Sequence, residues 1–388
     1  MNGALVGAEW LLERVAAGGA RALPGEGART GQGPRPGEGL RRGEGPQPGE
    51  RTQPGEGTQP GERPRPTEGT QPGERLVVLD ASVGAHRHKG PWIPGARIFD
   101  IDGEMSDEGA AAPHTMLGEE QFTERVRRLG VRGTDQVVVY DAAGIYSSAR
   151  AWWMLRAAGF ERVAVLDGGL PAWLAAGGPV VDSPTEPGTG SPADPRTAPS
   201  AAHRTGPSEP GTSSPTAPRT HSPAAARTAP SATPRTHSPA EPPPRTRDFT
   251  ARLSPGAFVG REEVREALGA PGVRVLDARS RGRFAGTEPE PRPGLRGGHM
   301  PGAVNLPFGE LQDGEGRMLP AGRLRERFDA LAPDARRLVV SCGSGVTACV
   351  LALGAELAGY GERVSVYDGS WSEWGLEGAG TPVVVEEA

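Results

Sequence analysis

Short apolar runs alternate with helix-compatible segments along this chain. Residues 76–81 and 273–278 are rich in valine and leucine, and residues 137–141 and 338–342 have the same character. Short runs of this composition are typical of strands that are buried on both faces. Because helix-compatible segments separate the runs, the pattern predicts an α/β fold in which helices cover both faces of a parallel sheet.

The pattern occurs twice. Five segments in the first half of the chain match five segments in the second half, in the same order. The matched pairs are residues 5–15 with 258–268, 76–81 with 273–278, 92–96 with 299–303, 137–141 with 338–342, and 163–173 with 364–374. This internal repeat predicts two domains of one architecture. Ligands of parallel sheets bind beyond the carboxyl ends of the strands, so a site is expected there.

Two low-complexity blocks interrupt the repeat. Residues 24–75 contain the recurring unit Thr-Gln-Pro-Gly-Glu, and residues 183–247 are rich in Pro, Thr, Ser, Ala and Arg. Neither block can bury enough apolar surface to offset its ordering entropy, so both are predicted to be disordered. The predicted organisation is a first domain over 1–182 that carries the insert 24–75, a linker over 183–247, and a second domain over 248–388.

Composition narrows the expected partners and compartment. The net charge of −5 argues against general nucleic-acid binding. Cys342 and Cys349, the two cysteines of the chain, lie too far apart along the chain to predict a disulfide, which favours a reducing compartment. We find no signal peptide and no apolar run long enough to span a membrane. We therefore expect a cytoplasmic protein with no membrane partner, no metal and no cofactor.

Cys342 is the most informative residue for function. It ends the apolar run 338–342, and a helix-compatible run over 349–358 follows. A thiol at a strand-to-helix junction faces the free backbone N–H groups of the first helical turn, which favour an anion. Such a site favours the thiolate, the nucleophilic form of cysteine. Gly343 and Gly345 allow the backbone to curl around the sulfur without a Cβ clash.

These motifs together resemble a known family. Residues 277–292, 298–303, 342–347 and 367–374 are similar to the tandem-domain sulfurtransferases of rhodanese and 3-mercaptopyruvate sulfurtransferase type. The resemblance implies two rhodanese-like domains, of which the second is catalytic and the first has lost its cysteine.

The sequence of the Cys342 loop indicates the subgroup of the family, and Trp92 departs from the family pattern. The loop Cys-Gly-Ser-Gly-Val-Thr is similar to that of mercaptopyruvate enzymes, whereas thiosulfate enzymes resemble Cys-Arg-Lys-Gly-Val-Thr. Asp141 stands at the position equivalent to Cys342. Trp92 stands where the family's first domain usually has histidine, which leaves any proton-relay role of that histidine without a residue here.

The resemblance also implies roles for the residues around Cys342. Cys342 is expected to take sulfur from the donor as a persulfide and to pass it to an acceptor. Arg283 and Arg292 are expected to bind the donor's carboxylate, and Ser344 is expected to donate to its carbonyl oxygen. The loop residues whose N–H groups are expected to hold the persulfide are Gly343, Ser344, Gly345, Val346 and Thr347. Residues expected to be structural are Arg279, His299 and Cys349, and Thr347 is expected to cap the helix or brace the loop.

Several functions remain open on the sequence alone. The donor is predicted to be mercaptopyruvate, with thiosulfate as the second candidate, and the acceptor is a small thiol, cyanide or a thiol protein such as thioredoxin. A non-catalytic persulfide-binding module is the alternative from another class. Cysteine phosphatases need an arginine six residues after the cysteine, and Ala348 stands there, which excludes that class.

Overall fold

The computed structural model describes residues 3–19, 75–186 and 248–386. The first sheet is built from residues 5–166, and all its strand pairs are parallel. Its strands are β1 (Leu5–Val6), β2 (Leu76–Asp80), β3 (Ala96–Ile98), β4 (Gln136–Tyr140) and β5 (Val163–Leu166), and its helices are α1 (Ala8–Gly19), α2 (Glu119–Arg128), α3 (Ser148–Ala157) and α4 (Gly169–Ala175). The strands lie in the order β1-β5-β4-β2-β3.

The second sheet repeats this arrangement. Its strands are β6 (Phe258–Val259), β7 (Val273–Asp277), β8 (Val304–Asn305), β9 (Arg337–Ser341) and β10 (Val364–Tyr367), and its helices are α5 (Arg261–Ala267), α6 (Arg281–Ala285), α7 (Ala321–Leu331), α8 (Ala348–Leu357) and α9 (Ser370–Trp374). The order β6-β10-β9-β7-β8 matches that of the first sheet strand for strand, and all pairs are again parallel. The predicted fold class, two parallel-sheet domains of rhodanese-like type, is confirmed.

The central strands place two equivalent residues. β4 and β9 are the middle strands of their sheets, and their neighbours β2 and β7 pair with them in the same register. Asp141 follows β4 directly, and Cys342 follows β9 directly. The sequence alignment of these two residues is therefore correct in three dimensions.

Helices α3 and α8 join the two domains. Both helices are buried along nearly their whole length, and their apolar side chains belong to one continuous core. Trp152 on α3 and Leu351 on α8 are almost fully buried in this shared core. Because α3 begins just after Asp141 and α8 begins just after the Cys342 loop, this packing brings the two equivalent loops near each other.

The two predicted low-complexity blocks lie outside the described residues, apart from Arg75 and residues 183–186. Arg75 belongs to the fold rather than to the insert, because its side chain pairs with Asp135 at 2.5 Å. The other domain boundaries stay predictions. Within the described ranges, no helix combines the length and apolar character that a bilayer span requires.

Candidate active site

The Cys342 loop lies between β9 and α8. Cys342 is buried, with 1% of its surface exposed. Thr347 occupies the N-cap position of α8, but its side chain makes no capping hydrogen bond, so the predicted capping role is not observed. The first residues of α9 support the loop: the Cys342 N–H donates to Ser370 Oγ at 3.1 Å, and the Ser372 N–H donates to the Gly343 carbonyl at 2.8 Å. The loop is thus held by the framework rather than by its own side chains.

Gly343 and Gly345 are required in the loop for different structural reasons. Gly345 has a φ of 77°, and a Cβ there would lie 2.8 Å from the backbone oxygen of Asp368. Only glycine fits this left-handed, closely packed position. Gly343 does not adopt a left-handed conformation, and a Cβ there would lie 3.0 Å from Arg283 Nη2. Gly343 therefore leaves room for a guanidinium group directly over the loop.

The equivalent loop of the first domain shows what this geometry binds. The Asp141 carboxylate accepts four backbone N–H groups at 2.8 to 3.0 Å, from Ala143, Tyr146, Ser147 and Ser148. In the second domain, the N–H groups of residues 343–347 find no acceptor in the part of the chain that the structure describes. The first domain fills its anion cradle with an internal carboxylate, whereas the second domain leaves its cradle open beside Cys342.

A serine, a histidine and an aspartate meet across the border between the domains. Ser344 Oγ lies 2.9 Å from His114 Nδ1, and His114 Nε2 lies 2.9 Å from Asp102 Oδ1. Asp102 also accepts the Gly84 N–H at 2.6 Å. The hydrogen bond with His114 is the largest of the effects that lower the pKa of Asp102. Ser344 is thus linked to a partly buried carboxylate through a histidine of the first domain.

The positions of the protons on Ser344, His114 and Asp102 follow from which of their atoms can donate. Because an ionised Asp102 only accepts, His114 Nε2 carries the proton that they share. A neutral imidazole then accepts the Ser344 hydroxyl proton at Nδ1. When the ring carries both protons, Nδ1 donates to Ser344 Oγ, and the Ser344 hydroxyl is free to donate to another oxygen. The arrangement can therefore hold or deliver a proton at Ser344 Oγ.

Arg283 stands over the loop but already has a carboxylate partner. Its Nε and Nη2 donate to Glu290, with Nη2 at 2.5 Å from Glu290 Oε2. The side chain of Glu290 is 1% exposed and also accepts Arg279 Nη1 at 2.7 Å. Arg279 is fully buried and pairs in turn with Asp277. The structural role predicted for Arg279 is confirmed, and Arg283 is fixed in place with its Nη1 edge left for a ligand.

Arg292 differs from Arg283 in that no ion-pair partner for it is found among the described residues. Its charge acts on the ionisation of Tyr146, a residue of the first domain. The pKa of Tyr146 is raised, first by desolvation and then by Cys342, while Arg283 and Arg292 act in the opposite direction. Cys342, Arg283 and Arg292 therefore all act electrostatically on Tyr146, and of the two arginines Arg292 is the one without an ion pair to any described residue.

Two residues that were predicted to be structural are confirmed as such. His299 Nδ1–H donates to the Phe284 carbonyl at 2.9 Å, and the ring stacks on that of Phe284. Cys349 is fully buried on α8, and its Sγ contacts the Gly345 carbonyl at 3.3 Å. Burial raises the pKa of Cys349 to about 12, which keeps its thiol protonated. Trp92 packs in a hydrophobic cluster of the first domain. The histidine that contacts the Cys342 loop is His114.

Sequence reasoning missed His114 and Asp102. Neither residue belongs to a matched segment of the repeat, and 230 residues separate His114 from Ser344. One local feature marks His114 in the structure, namely a φ of 63°, which is uncommon for a residue other than glycine. This value is a property of the fold and leaves no signature in the composition of the segment.

Comparison with known proteins agrees with this geometry. The family model for the Rhodanese-like domain matches residues 70–176 and 260–377. The 3-mercaptopyruvate sulfurtransferase of Homo sapiens is 37% identical over 297 residues, which cover 76% of this chain and 80% of that protein. Thiosulfate/3-mercaptopyruvate sulfurtransferase 1, mitochondrial, of Arabidopsis thaliana is 36% identical, with 74% of this chain and 65% of that protein covered.

A solved structure matches as well. SseA from Escherichia coli, a 3-mercaptopyruvate sulfotransferase, superposes with a TM-score of 0.54 and is 29% identical, with 77% of this chain and 93% of that chain covered. The family match falls once in each copy of the internal repeat. The resemblance inferred from the motifs is therefore confirmed.

Proposed function

Because this chain belongs to the family of proteins built from rhodanese-like domains, we propose that it is a sulfurtransferase that moves sulfur from 3-mercaptopyruvate to a thiol or to cyanide. The observation that carries the proposal is the open cradle of backbone N–H groups beside Cys342. Its counterpart in the first domain closes on the carboxylate of Asp141. A cradle of this kind suits the anionic persulfide of a transfer cycle.

The reaction proceeds in two halves. The Cys342 thiolate attacks the sulfur of mercaptopyruvate, the C–S bond breaks, and its electron pair leaves on the enolate of pyruvate. The enolate takes up a proton and departs as pyruvate, while the sulfur stays on Cys342 as a persulfide. An acceptor thiolate then attacks the outer sulfur, and the Cys342 thiolate is restored. A small thiol, cyanide and a thiol protein such as thioredoxin are the candidate acceptors, and a cytoplasmic location stays a prediction.

Ser344 stabilises the charge that develops in the first half. Negative charge builds on the carbonyl oxygen of the donor as the enolate forms. The Ser344 hydroxyl donates to this oxygen, and a His114 ring that carries both protons replaces the proton that Ser344 gives up from Nδ1, which lies 2.9 Å from Ser344 Oγ. Asp102 orients the ring through the bond at 2.9 Å to Nε2. The proton relay thus comes from His114 rather than from the position that Trp92 occupies.

The donor assay tests the proposal directly. Thiosulfate is the second candidate donor, since the Arabidopsis thaliana relative carries both donors in its name. Gly343 and Ser344 bring no positive charge to the loop, and thiosulfate, a dianion that releases sulfite as a dianion, needs such charge nearby. We therefore expect a higher kcat/KM with mercaptopyruvate than with thiosulfate in steady-state assays with cyanide as acceptor. Sulfur uptake from either donor without turnover would instead support a persulfide-binding module.

Replacement of Arg292 by alanine should weaken the use of mercaptopyruvate. Arg292 lacks a carboxylate partner among the described residues, so it is the cation best placed to bind the carboxylate of the donor. A charge-assisted hydrogen bond contributes about 1.5–3 kcal/mol, so kcat/KM should fall roughly ten- to a hundred-fold. Arg281→Ala is the matched control, because Arg281 is an exposed arginine that pairs with Glu310. Equal values for both variants would place Arg292 outside the binding site.

A further inference from the structure

Arg150 contacts the candidate active site from the non-catalytic domain. It lies on α3, and its side chain is 0% exposed. Its Nη2 donates to the His114 carbonyl at 2.6 Å and to Asp368 Oδ1 at 2.7 Å, and its Nη1 lies 3.4 Å from the Gly345 carbonyl. One buried guanidinium therefore touches the backbone of His114, the backbone of the Cys342 loop and a carboxylate of the second domain.

Asp368 completes the connection from the other side. It follows β10, and its Oδ2 accepts the Met116 N–H at 2.7 Å while Oδ1 accepts Arg150. The segment from His114 to Met116 is thereby held at both ends by the Arg150–Asp368 pair. The backbone oxygen of Asp368 also lies against Gly345, where a Cβ would approach it to 2.8 Å. The pair joins the segment that bears His114 to the loop that bears Ser344.

His114 needs such support. Its φ of 63° lies in the left-handed region, which costs free energy in a residue with a Cβ and persists only where surrounding contacts enforce it. The carbonyl of His114 is the acceptor in the shortest hydrogen bond of Arg150. Asp102 fixes the far side of the ring, but the backbone orientation, and with it the direction of Nδ1, depends on the contacts of the carbonyl.

A role in stability alone explains this arrangement poorly. Burying an arginine and an aspartate is costly, and well-packed apolar residues often replace such pairs without loss of stability. The Nε of Arg150 is buried without a hydrogen-bond partner among the described residues, so the site is not optimised for the arginine itself. The three oxygen acceptors of Arg150 are instead all parts of the candidate active site or its supports.

We propose that Arg150 is a positioning residue that holds His114 in line with Ser344 across the border between the domains. The inference rests on the proposed function, since it concerns the same relay. It assigns a task to the first domain, which has Asp141 in place of the cysteine. Asp141 anchors the start of α3 through the N–H groups of Ser147 and Ser148, and α3 presents Arg150 to the relay.

The test compares Arg150→Lys with His114→Gln and with the double variant in the full-length protein. Lysine keeps the charge opposite Asp368, but its single nitrogen cannot replace both the Nη2 that bridges the His114 carbonyl and Asp368 and the Nη1 beside the Gly345 carbonyl. We expect kcat/KM with mercaptopyruvate to fall at least about ten-fold in Arg150→Lys, because small displacements of a relay group are costly. In the His114→Gln background the same change should cost less than about two-fold, since the group it positions is gone. Additive losses would overturn the inference.

Two further variants keep the test decisive. Arg156→Lys is the matched control, because Arg156 also lies on α3 and pairs across the domain border with Glu356 at 3.6 Å, and its activity should stay near that of the wild type. If Arg150→Lys does not fold, Asp368→Asn weakens the same clamp while keeping its size, and the same non-additivity with His114→Gln is expected. An additive loss in that pair would equally overturn the inference. A wild-type protein that lacks mercaptopyruvate turnover would instead contradict the proposed function.

Discussion

Replacing Cys342 with serine is expected to abolish sulfur transfer while the protein remains folded. The hydroxyl of serine forms no persulfide, so turnover with mercaptopyruvate should fall by at least about a thousand-fold. Cys342 packs at the end of β9 with its N–H bonded to Ser370 Oγ, and neither contact depends on sulfur. Far-UV circular dichroism and thermal unfolding should therefore stay close to those of the wild type.

The matched control is Cys349→Ser, which changes the other cysteine of the chain. Cys349 lies on the buried face of α8 with a raised pKa, so it is not a nucleophile, and its replacement should lower stability more than activity. Intact-mass analysis of the wild type after treatment with donor and no acceptor should show one added sulfur, mapped to Cys342 by peptide digestion. Sulfur found on Cys349 would contradict the assignment of the nucleophile.

The fold could be predicted from the sequence because its signal is local and repeated. Valine-rich runs such as residues 137–140 become the central strands, and the repeat doubles every observation. The position of Cys342 after β9 followed from the same pattern, since a residue that ends an apolar run before a helix must lie at the carboxyl edge of the sheet. The predicted helix over 349–358 is displaced from α8 by one residue.

The site could be predicted only as far as one domain builds it. Cys342, Ser344 and Arg283 occur within the second repeat, where motif and topology coincide. Glu290 belongs to the same motif, but its bidentate pairing with Arg283 was not predicted, because it depends on how the loop after α6 folds back.

His114 and Asp102 come from the first domain, in a segment without periodic pattern. His114 contacts Ser344, and Asp102 contacts His114, across a border at which the α3 and α8 helices pack together. A contact made by domain packing, between residues that no motif connects, leaves no trace in a single sequence. The same holds for Arg150, whose position on a buried helix face predicts only burial until the partner across the border is known.

Breaking the relay at either His114 or Ser344 should have the second largest effect. His114→Gln and Ser344→Ala should each lower kcat/KM with mercaptopyruvate by about a hundred-fold, which is the usual contribution of general acid catalysis. Because both residues act in one relay, the double variant should be no worse than the more affected single variant by more than about two-fold. Steady-state assays of the four proteins at one pH complete this cycle.

Assays with both donors distinguish loss of the proton relay from a general disturbance of the Cys342 loop. Sulfite leaves thiosulfate without forming an enolate, so turnover of thiosulfate should fall much less than turnover of mercaptopyruvate in both variants. His88→Gln is the matched control, since His88 is an exposed histidine of the same domain that contacts Asp100 rather than Ser344, and it should leave both activities unchanged. Equal losses with both donors would mean that His114 and Ser344 support the shape of the Cys342 loop, and the proton relay would then have no part in the choice of mercaptopyruvate.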